Sequence, residues 1–364
     1  MKRKVCHITS VHSRYDIRIF EKECVSLVRA GYDVTLLVND INENEIRKGV
    51  KIESINFTTK NRISRILLSE KIFLKRALNV DADIYHFHDP ELLPLGYKLK
   101  KIGKFVIYDS HEDVPRQILA KNWIPLIIRK PISFLYEKYE NSIVKHLGAV
   151  VTPTPLISSR FSKINKKTVE VSNFPLLEEF NIHENLSKKN VACYVGGITK
   201  NRGIFQIADA MKNKDIELIL CGNFESEELK SEILNNYSNI RYLGVVDRKK
   251  IAEVISESLF GFVTLLPTPN HINSYPIKMF EYMAGGIPVV ASDFPLWKSI
   301  VESNDCGICV DPNDTNEIST AIDTLMENEK KCNQMGNNGR KIVLEKYNWG
   351  IEKEKLYKIY SDLQ

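Results

Sequence analysis

Glu281 lies in "NSYPIKMFEYMAGGIPVVASDFPLW", residues 273–297, where a carboxylate and two adjacent glycines stand directly ahead of a β-branched apolar run. Pro276 fixes a turn, and Ile277, Met279, Phe280 and Met283 read as one short helix. Glu281 falls one residue past Phe280, roughly 100° around that helix. A carboxylate there accepts two hydrogen bonds, as the vicinal hydroxyls of a ribose would supply; an ordinary exposed helix glutamate fits the spacing equally well. A second capable stretch is "YVGGITKNRGIFQIADAM". Gly196 and Gly197 permit close backbone approach, and Arg202 and Gly203 open a helix whose first N–H groups can hold an anion. The planar fork of Arg202 suits a diphosphate, or it is a solvated charge beside a turn. The stretch "SVHSRYDIRIF" adds Arg14, Asp16 and Arg18, which read either as contacts to an acceptor or diphosphate or as a salt-bridged surface loop.

These residues need elements to position them, and the chain supplies short strands alternating with amphipathic helices. "KVCHITS", "YDVTLLVND", "DIYHFHD", "KFVIYDSHE" and "AVVTPTP" read as strands, separated by helical stretches such as "DIRIFEKECVSLVRAG" and "PELLPLGYKLKKIG". A polar, aperiodic stretch at residues 171–190 breaks the pattern, which restarts with "NVACYVGGI", "IELILCG", "IRYLGVV", "FGFVTLLP", "IPVVASD" and "GICVDP". Alternation of this kind predicts βαβ units and parallel sheets, hence two doubly wound α/β domains joined at the break. Ligands of such sheets sit beyond the carboxyl ends of the strands, where the residues above fall. The closing "YNWGIEKEKLYKIYSDLQ" reads as a helix.

Composition agrees. A chain of 364 residues exceeds one comfortable core, and 43% hydrophobic with 27% charged residues is ordinary for a globular protein. No apolar run reaches the length of a membrane span and the N-terminus lacks a signal-peptide core, so a cytoplasmic protein is expected. Seven scattered cysteines fit free thiols, Cys306 and Cys309 included, although those two form a C-x-x-C. Residues 1–172 carry 30 lysines and arginines against 19 acids, a net of +11, while the remainder carries 21 against 27, a net of −6. The basic half can face an anionic membrane surface; its dispersed charge and the lack of a recognised module speak against nucleic acid. Two basic amphipathic stretches, 61–78 and 122–147 with Trp123, fit either a membrane interface or ordinary packing on the sheet.

With these residues in view, "SYPIKMFEYMAGGIPVVASDFP" resembles the nucleotide-binding signature of retaining glycosyltransferases of family 4. "GYDVTLLV", "YHFHDPELLPLG", "VIYDSHE", "YVGGITKNRG", "CGICVDP" and the final helix follow in the same order. The resemblance implies a GT-B fold: two Rossmann-like, doubly wound parallel-sheet domains facing a cleft. Residues 1–172 would bind the acceptor and 173–346 the nucleotide sugar, with the helix 347–364 packing back on the first domain. It implies retaining transfer of a sugar from a UDP- or GDP-linked donor to a saccharide or lipid-linked acceptor in cell-surface polysaccharide synthesis, at the inner face of the membrane. A sugar-nucleotide epimerase and a non-catalytic sugar-nucleotide-binding protein are the alternatives.

By the same resemblance Glu281 takes the ribose, and the first glutamate of the family's pair falls on Asn273, which can hydrogen-bond donor-sugar hydroxyls but carries no charge. Backbone N–H groups near Ser274 and Tyr275, with Lys278 and Arg202, are suited to the diphosphate. An arginine that many relatives have after "YVG" is Gly197 here. Val246 would offer its backbone to the base, His111 would stand beside the transferred sugar, and Glu112 would tune it or meet the acceptor. His86, His88 and Asp89 look like metal ligands, but three residues of one strand and turn cannot enclose an ion without a distant partner. No catalytic metal and no cofactor are expected.

Overall fold

The computed structural model describes residues 2–57, 62–121, 123–180 and 189–362, so that part of the break in the pattern, residues 181–188, lies outside it. The chain forms two compact units, Met1–Asn173 together with Glu352–Gln364, and Phe174–Ile351. The first contains strands β1 (Lys4–Thr9), β2 (Asp33–Val38), β3 (Glu45–Arg47), β4 (Val50–Ser54), β5 (Ile84–Phe87), β6 (Phe105–Asp109), β7 (Ala149–Thr152) and β8 (Thr168–Glu170). They form one sheet in the order β3-β4-β2-β1-β5-β6-β7-β8, parallel except for the β3–β4 hairpin. The second unit has β9 (Val191–Val195), β10 (Glu217–Cys221), β11 (Ile240–Gly244), β12 (Phe260–Val263), β13 (Val289–Ser292) and β14 (Gly307–Val310), all parallel, in the order β11-β10-β9-β12-β13-β14. Strands such as β5, β7, β12 and β13 are buried at every position, the reason they read as unbroken apolar runs rather than alternations.

In each sheet the strand order reverses beside the first strand of the unit, between β1 and β5 and between β9 and β12. The two strands at such a switch point send their following loops in opposite directions and leave a crevice at their carboxyl ends. The loops after β9 and β12 hold Gly196–Arg202 and Asn273–Lys278. Those after β1 and β5 hold Arg14–Arg18 and His88–Asp89.

The glycine pair closes a helix. Ile277–Ala284 ends with Gly286 N–H on the Met283 carbonyl at 3.0 Å and Ile287 N–H on the Tyr282 carbonyl at 3.1 Å, with Gly286 at φ +70°. This is the Schellman arrangement, which needs a left-handed residue and turns the chain directly into β13. The helix is no surface element: Lys278 to Ala284 are all buried.

The stretch 16–31 reads as a single helix, and the structure departs from that. Ile17–Cys24 is a π-helix followed by a short α-helix, Val25–Arg29. Asp16 caps it, its Oδ1 accepting from the N–H groups of Arg18 and Ile19 at 2.9 Å each. Bonds closed five residues back set residues 18 and 23 over one another. Arg18 Nε stands 3.2 Å from Glu23 Oε1, and the Arg18 fork donates to both oxygens of Asp109 at 2.9 Å and to the Val171 carbonyl at 2.8 Å. All three side chains are buried. The helix Trp349–Ser361 starts in the second unit and continues from Glu352 in the first, where Glu352 Oε2 accepts from Ser172 N–H at 2.8 Å and Tyr360 reaches His86.

Replacing Arg18 by methionine leaves two carboxylates buried without their guanidinium. Such a deletion costs about 3–5 kcal/mol, so the R18M protein should denature at clearly lower urea concentration. An unchanged midpoint would contradict the clamp.

Candidate functional site

In the second unit two cations converge on the end of β9. Gly196 has φ +113°, and a side-chain carbon added to it would lie 3.5 Å from both Arg202 Nη1 and Lys278 Nζ. Glycine therefore keeps open the space that both cations face. Arg202 Nη1 donates to the Gly197 carbonyl at 3.3 Å, and Tyr194 Oη donates to the same oxygen at 2.8 Å. Lys278, on the buried helix Ile277–Ala284, lays its ammonium 3.5 Å above the Tyr194 ring and has no hydrogen-bond acceptor. Burial, and then repulsion from Arg202, hold its pKa well below the usual lysine range, with Glu281 opposing. A buried amine with an aromatic wall, a neighbouring guanidinium and no acceptor lacks the partner that would favour its charged form.

Glu281 is buried, which removes the reading of an exposed helix glutamate. Its Oε1 accepts from Arg248 Nη2 at 2.6 Å, and Arg248 also donates to Glu179 Oε2 at 2.5 and 3.2 Å. Neither Arg248 nor Glu179 was visible as a partner in the sequence. "VVDRKK" did offer one signal, since Asp247 caps the helix Arg248–Glu257 and places Arg248 at its start, two residues beyond Val246. Burial works against the charge on Arg248, but Glu281 and Glu179 outweigh it and hold the group firmly protonated. Val246 is half-buried against the core of this unit.

The segment ahead of the helix corrects one expectation. Ser274 N–H and Oγ both donate to the His271 carbonyl, at 3.1 and 3.0 Å, and the Ser274 carbonyl accepts from Trp297 Nε1 at 2.7 Å. The Ser274 amide expected to meet a diphosphate is thus committed to a tight turn. Tyr275 packs its ring on Phe174 and Phe280. Asn273 is exposed at the end of the short helix Pro269–Ile272.

In the first unit the carboxyl ends of β1, β5 and β6 gather polar side chains that the sequence showed only as separate motifs. His111 Nε2 lies 3.0 Å from Asp109 Oδ2, and His88 Nδ1 lies 3.2 Å from the same oxygen. Burial disfavours charge on Asp109, yet Arg18 and then His111 hold its carboxyl well below the usual range. An ionised carboxylate only accepts, so both facing ring nitrogens carry their protons, and His88, kept neutral by burial, presents a lone pair at its other nitrogen. Burial pushes His88 down to about 4 despite Asp109. His12, 4.7 Å from the His111 ring, completes the exposed side, between Asp16 and Asp89.

The other predicted residues of this unit go elsewhere. Asp89 accepts from Thr9 Oγ1 and Ser10 N–H, at 2.8 and 2.5 Å, and so pins the loop after β1. Arg14 is enclosed by Asp40, Glu45 and Ser54 Oγ at 2.6–2.9 Å, which is the salt-bridged-loop reading. Asp16 is a helix cap and Arg18 a buried clamp, so neither presents its charge to a ligand. Glu112 is exposed and serves the turn through its carbonyl. The distant partners that one strand and turn could not supply to His86 and His88 do exist: His7 pairs in register with His86, and Glu23 comes from the π-helix. Alternation along "KVCHITS" and "YHFHD" places His86 and His88 on one face, but the π turn that brings Glu23 to them has no sequence signal.

Comparison with known proteins agrees across both units. The glycosyltransferase family 4 model matches residues 18–173, and the glycosyl transferases group 1 model matches residues 177–342. The capsular polysaccharide biosynthesis glycosyltransferase CapM of Staphylococcus aureus is 26% identical over 229 residues, 57% of this chain and 58% of that protein, so the chain spans less than two thirds of its length. Among solved structures, sucrose-phosphate synthase from Thermosynechococcus elongatus superposes with a TM-score of 0.80 at 17% identity over 100% of this chain and 99% of that one. Anabaena HepE, in complex with UDP and glucose, gives 0.75 at 13% identity over 99% and 100%. With each half matched by its own family model and two parallel-sheet α/β units of the GT-B type, the chain belongs to the family 4 type of glycosyltransferases.

Proposed function

We propose that this chain moves a sugar from a UDP- or GDP-linked donor to a saccharide or lipid-linked acceptor of cell-surface polysaccharide synthesis, with retention of the anomeric configuration. The observation that carries the reading is the buried Lys278 ammonium without an acceptor, set beside Arg202 over an open glycine backbone. A diphosphate supplies the missing acceptors for both cations. Glu281, held by Arg248, then offers its carboxylate to the ribose hydroxyls, and the backbone at Val246 meets the base. The relative HepE was solved with UDP and with glucose, which supports a nucleotide sugar as the ligand class.

In this reading the bond between the anomeric carbon and the diphosphate breaks while the acceptor oxygen bonds to that carbon from the same side. The acceptor proton passes to the departing diphosphate oxygen, whose charge Lys278 and Arg202 stabilise. These fixed cations take the place a divalent ion would hold, so turnover proceeds without one. Asn273 hydrogen-bonds the donor sugar without a charge, and His111, fixed by Asp109, orients it. CapM, a capsular polysaccharide glycosyltransferase, supports the pathway class.

Contact with the cytoplasmic face of the membrane belongs to the same proposal. No helix among the described residues is long and apolar enough to cross a membrane. The helix Leu126–Val144 exposes Leu126, Ile127, Phe134 and Leu135, with Trp123 just ahead of it, and Ile127 is 90% accessible. Lys130 and Lys138 fall at helical spacing beside Ile127 and Phe134, and the Lys138 ammonium lies 4.5 Å over the Phe134 ring. An apolar stripe with lysines and an aromatic anchor suits an anionic interface. Of the other basic stretch, the side chains of Arg62, Ile63, Arg65, Ile66 and Leu67 lie outside the described residues.

Three outcomes are expected. In Glu281→Ala, donor affinity falls by about 1.5–3 kcal/mol, or roughly 10- to 150-fold, in a titration with UDP and GDP sugars; unaltered affinity for every donor removes the ribose assignment. Lys278 has a lowered pKa when free and gains an anion when bound, so nucleotide binding takes up a proton and weakens as pH rises through that window. Calorimetry in buffers of different ionisation enthalpy should show this uptake in the native protein and not in Lys278→Met, which also melts higher because it no longer buries an amine. Finally, the protein should co-sediment with vesicles containing anionic lipid and not with neutral ones, and Ile127→Glu combined with Leu135→Glu should abolish it. Equal recovery with both vesicle types argues against the membrane face.

A further inference from the structure

Beneath the His88–Asp109–His111 group lies a second cluster that transfer does not use. His7 on β1, His86 and His88 at the end of β5, and Glu23 on the π-helix are all fully buried. One ligand atom from each lies within 4.8 Å of the others. Glu23 Oε2 is nearly equidistant from three imidazole nitrogens: 4.0 Å from His7 Nδ1, 3.9 Å from His86 Nδ1 and 4.0 Å from His88 Nε2. Those separations are too long for hydrogen bonds, and neither Glu23 oxygen has a donor. Arg18 offsets part of the burial of Glu23 through its 3.2 Å approach to Oε1, but Oε2, aimed at three imidazoles across a gap, has no donor of its own, and polar groups withdrawn from water need a partner.

We propose that this cluster is a closed, structural site for a divalent first-row transition metal, with zinc the ion its ligands fit best. Three imidazole nitrogens and one carboxylate oxygen form a tetrahedral donor set of the right chemistry. Bonds of about 2.0–2.1 Å put tetrahedral donors about 3.3 Å apart. The separation of 2.9 Å between His7 Nδ1 and His88 Nε2 and those of 3.9–4.0 Å to the carboxylate fall on either side of that value, and all four atoms lie within 4.8 Å of one another. A small inward movement of Glu23 and a small parting of the two rings reach it.

The surroundings already serve as an outer shell. His88 gives its Nδ1 proton to Asp109, so its Nε2 lone pair faces the cluster, the carboxylate–histidine–metal arrangement that fixes ligand tautomers. Tyr360 Oη lies 3.2 Å from His7 Nε2 and can accept the proton left there once Nδ1 binds the ion. It must release His86 Nδ1, now 2.7 Å away. The ion would tie β1, β5 and the π-helix together directly under the Arg18–Asp109 clamp. All four positions come from the protein, so no site is left for a reacting group, and the ion is separate from the diphosphate chemistry proposed above.

The test is cobalt(II) and zinc(II) titration of the full chain after dialysis against a chelator. The native protein should bind one equivalent of cobalt with the visible ligand-field absorption of a tetrahedral centre, which zinc displaces, and its melting temperature should rise with zinc. Glu23→Gln and His86→Asn should lose the absorption, whereas His111→Ala should keep it. No tetrahedral absorption and no zinc-dependent rise in the native chain overturns the proposal. So does an unchanged cobalt spectrum in both cluster variants, and so does loss confined to His111→Ala, which places the ion in the His88–Asp109–His111 group. Should either cluster variant fail to fold, the native titration and the His111→Ala spectrum decide it.

Discussion

Parallel pairing is the constraint from which the rest follows. Every strand of such a sheet must be entered at the same edge, so each βα loop leaves from the opposite edge and all of them gather there. Both sheets obey this, apart from the small β3–β4 hairpin. In the first unit the gathered residues are His7, His88, Asp89, Asp109 and His111, and in the second they are Gly196, Arg202 and Lys278. Residues more than 80 positions apart in the chain, such as His7 and His88, become neighbours at 2.9 Å with no element bent to bring them together.

The two units treat buried charge in contrasting ways. Arg18 is fully engaged, by two carboxylate oxygens and a carbonyl, and the π-helix at the start of its segment exists in a geometry that lets it reach them. Arg14 is similarly enclosed. Lys278 is the opposite case, buried with an aromatic face and another cation for company. A protein gains no stability from such an arrangement, and proteins tolerate destabilising polar groups where binding compensates for them. Glu281 lies between these extremes, paired with Arg248 and still carrying a charge that a ligand can share.

Much of this was readable in the chain. Unbroken β-branched runs marked the strands because parallel strands are covered on both faces, and the switch from these runs to amphipathic stretches gave the α/β order. Gly285 and Gly286 stood where the helix ends, and "YVGGITKNRG" marked a loop with an open glycine backbone. What could not be read depends on long-range register. Nothing local to Glu281 points to Arg248 or Glu179, and nothing near Ser274 shows that its amide bonds back to His271. The single helix read over 16–31 failed because the π turn is imposed by Arg18 and Glu23 having to face the same interior group, which no periodicity encodes. Exposure along 126–135 also escaped the pattern, since an apolar run looks the same whether it is covered or bare.

The path of the last helix has a consequence for biogenesis. Residues from Glu352 onward complete the unit that begins at Lys2, supplying Glu352 to Ser172 and Tyr360 to His86. A ribosome making the chain delivers them only after the whole intervening unit, about ten to thirty seconds later at ordinary elongation speeds. The nascent N-terminal sheet must therefore wait, with its histidine-lined floor uncovered, while the later-made neighbour is finished first.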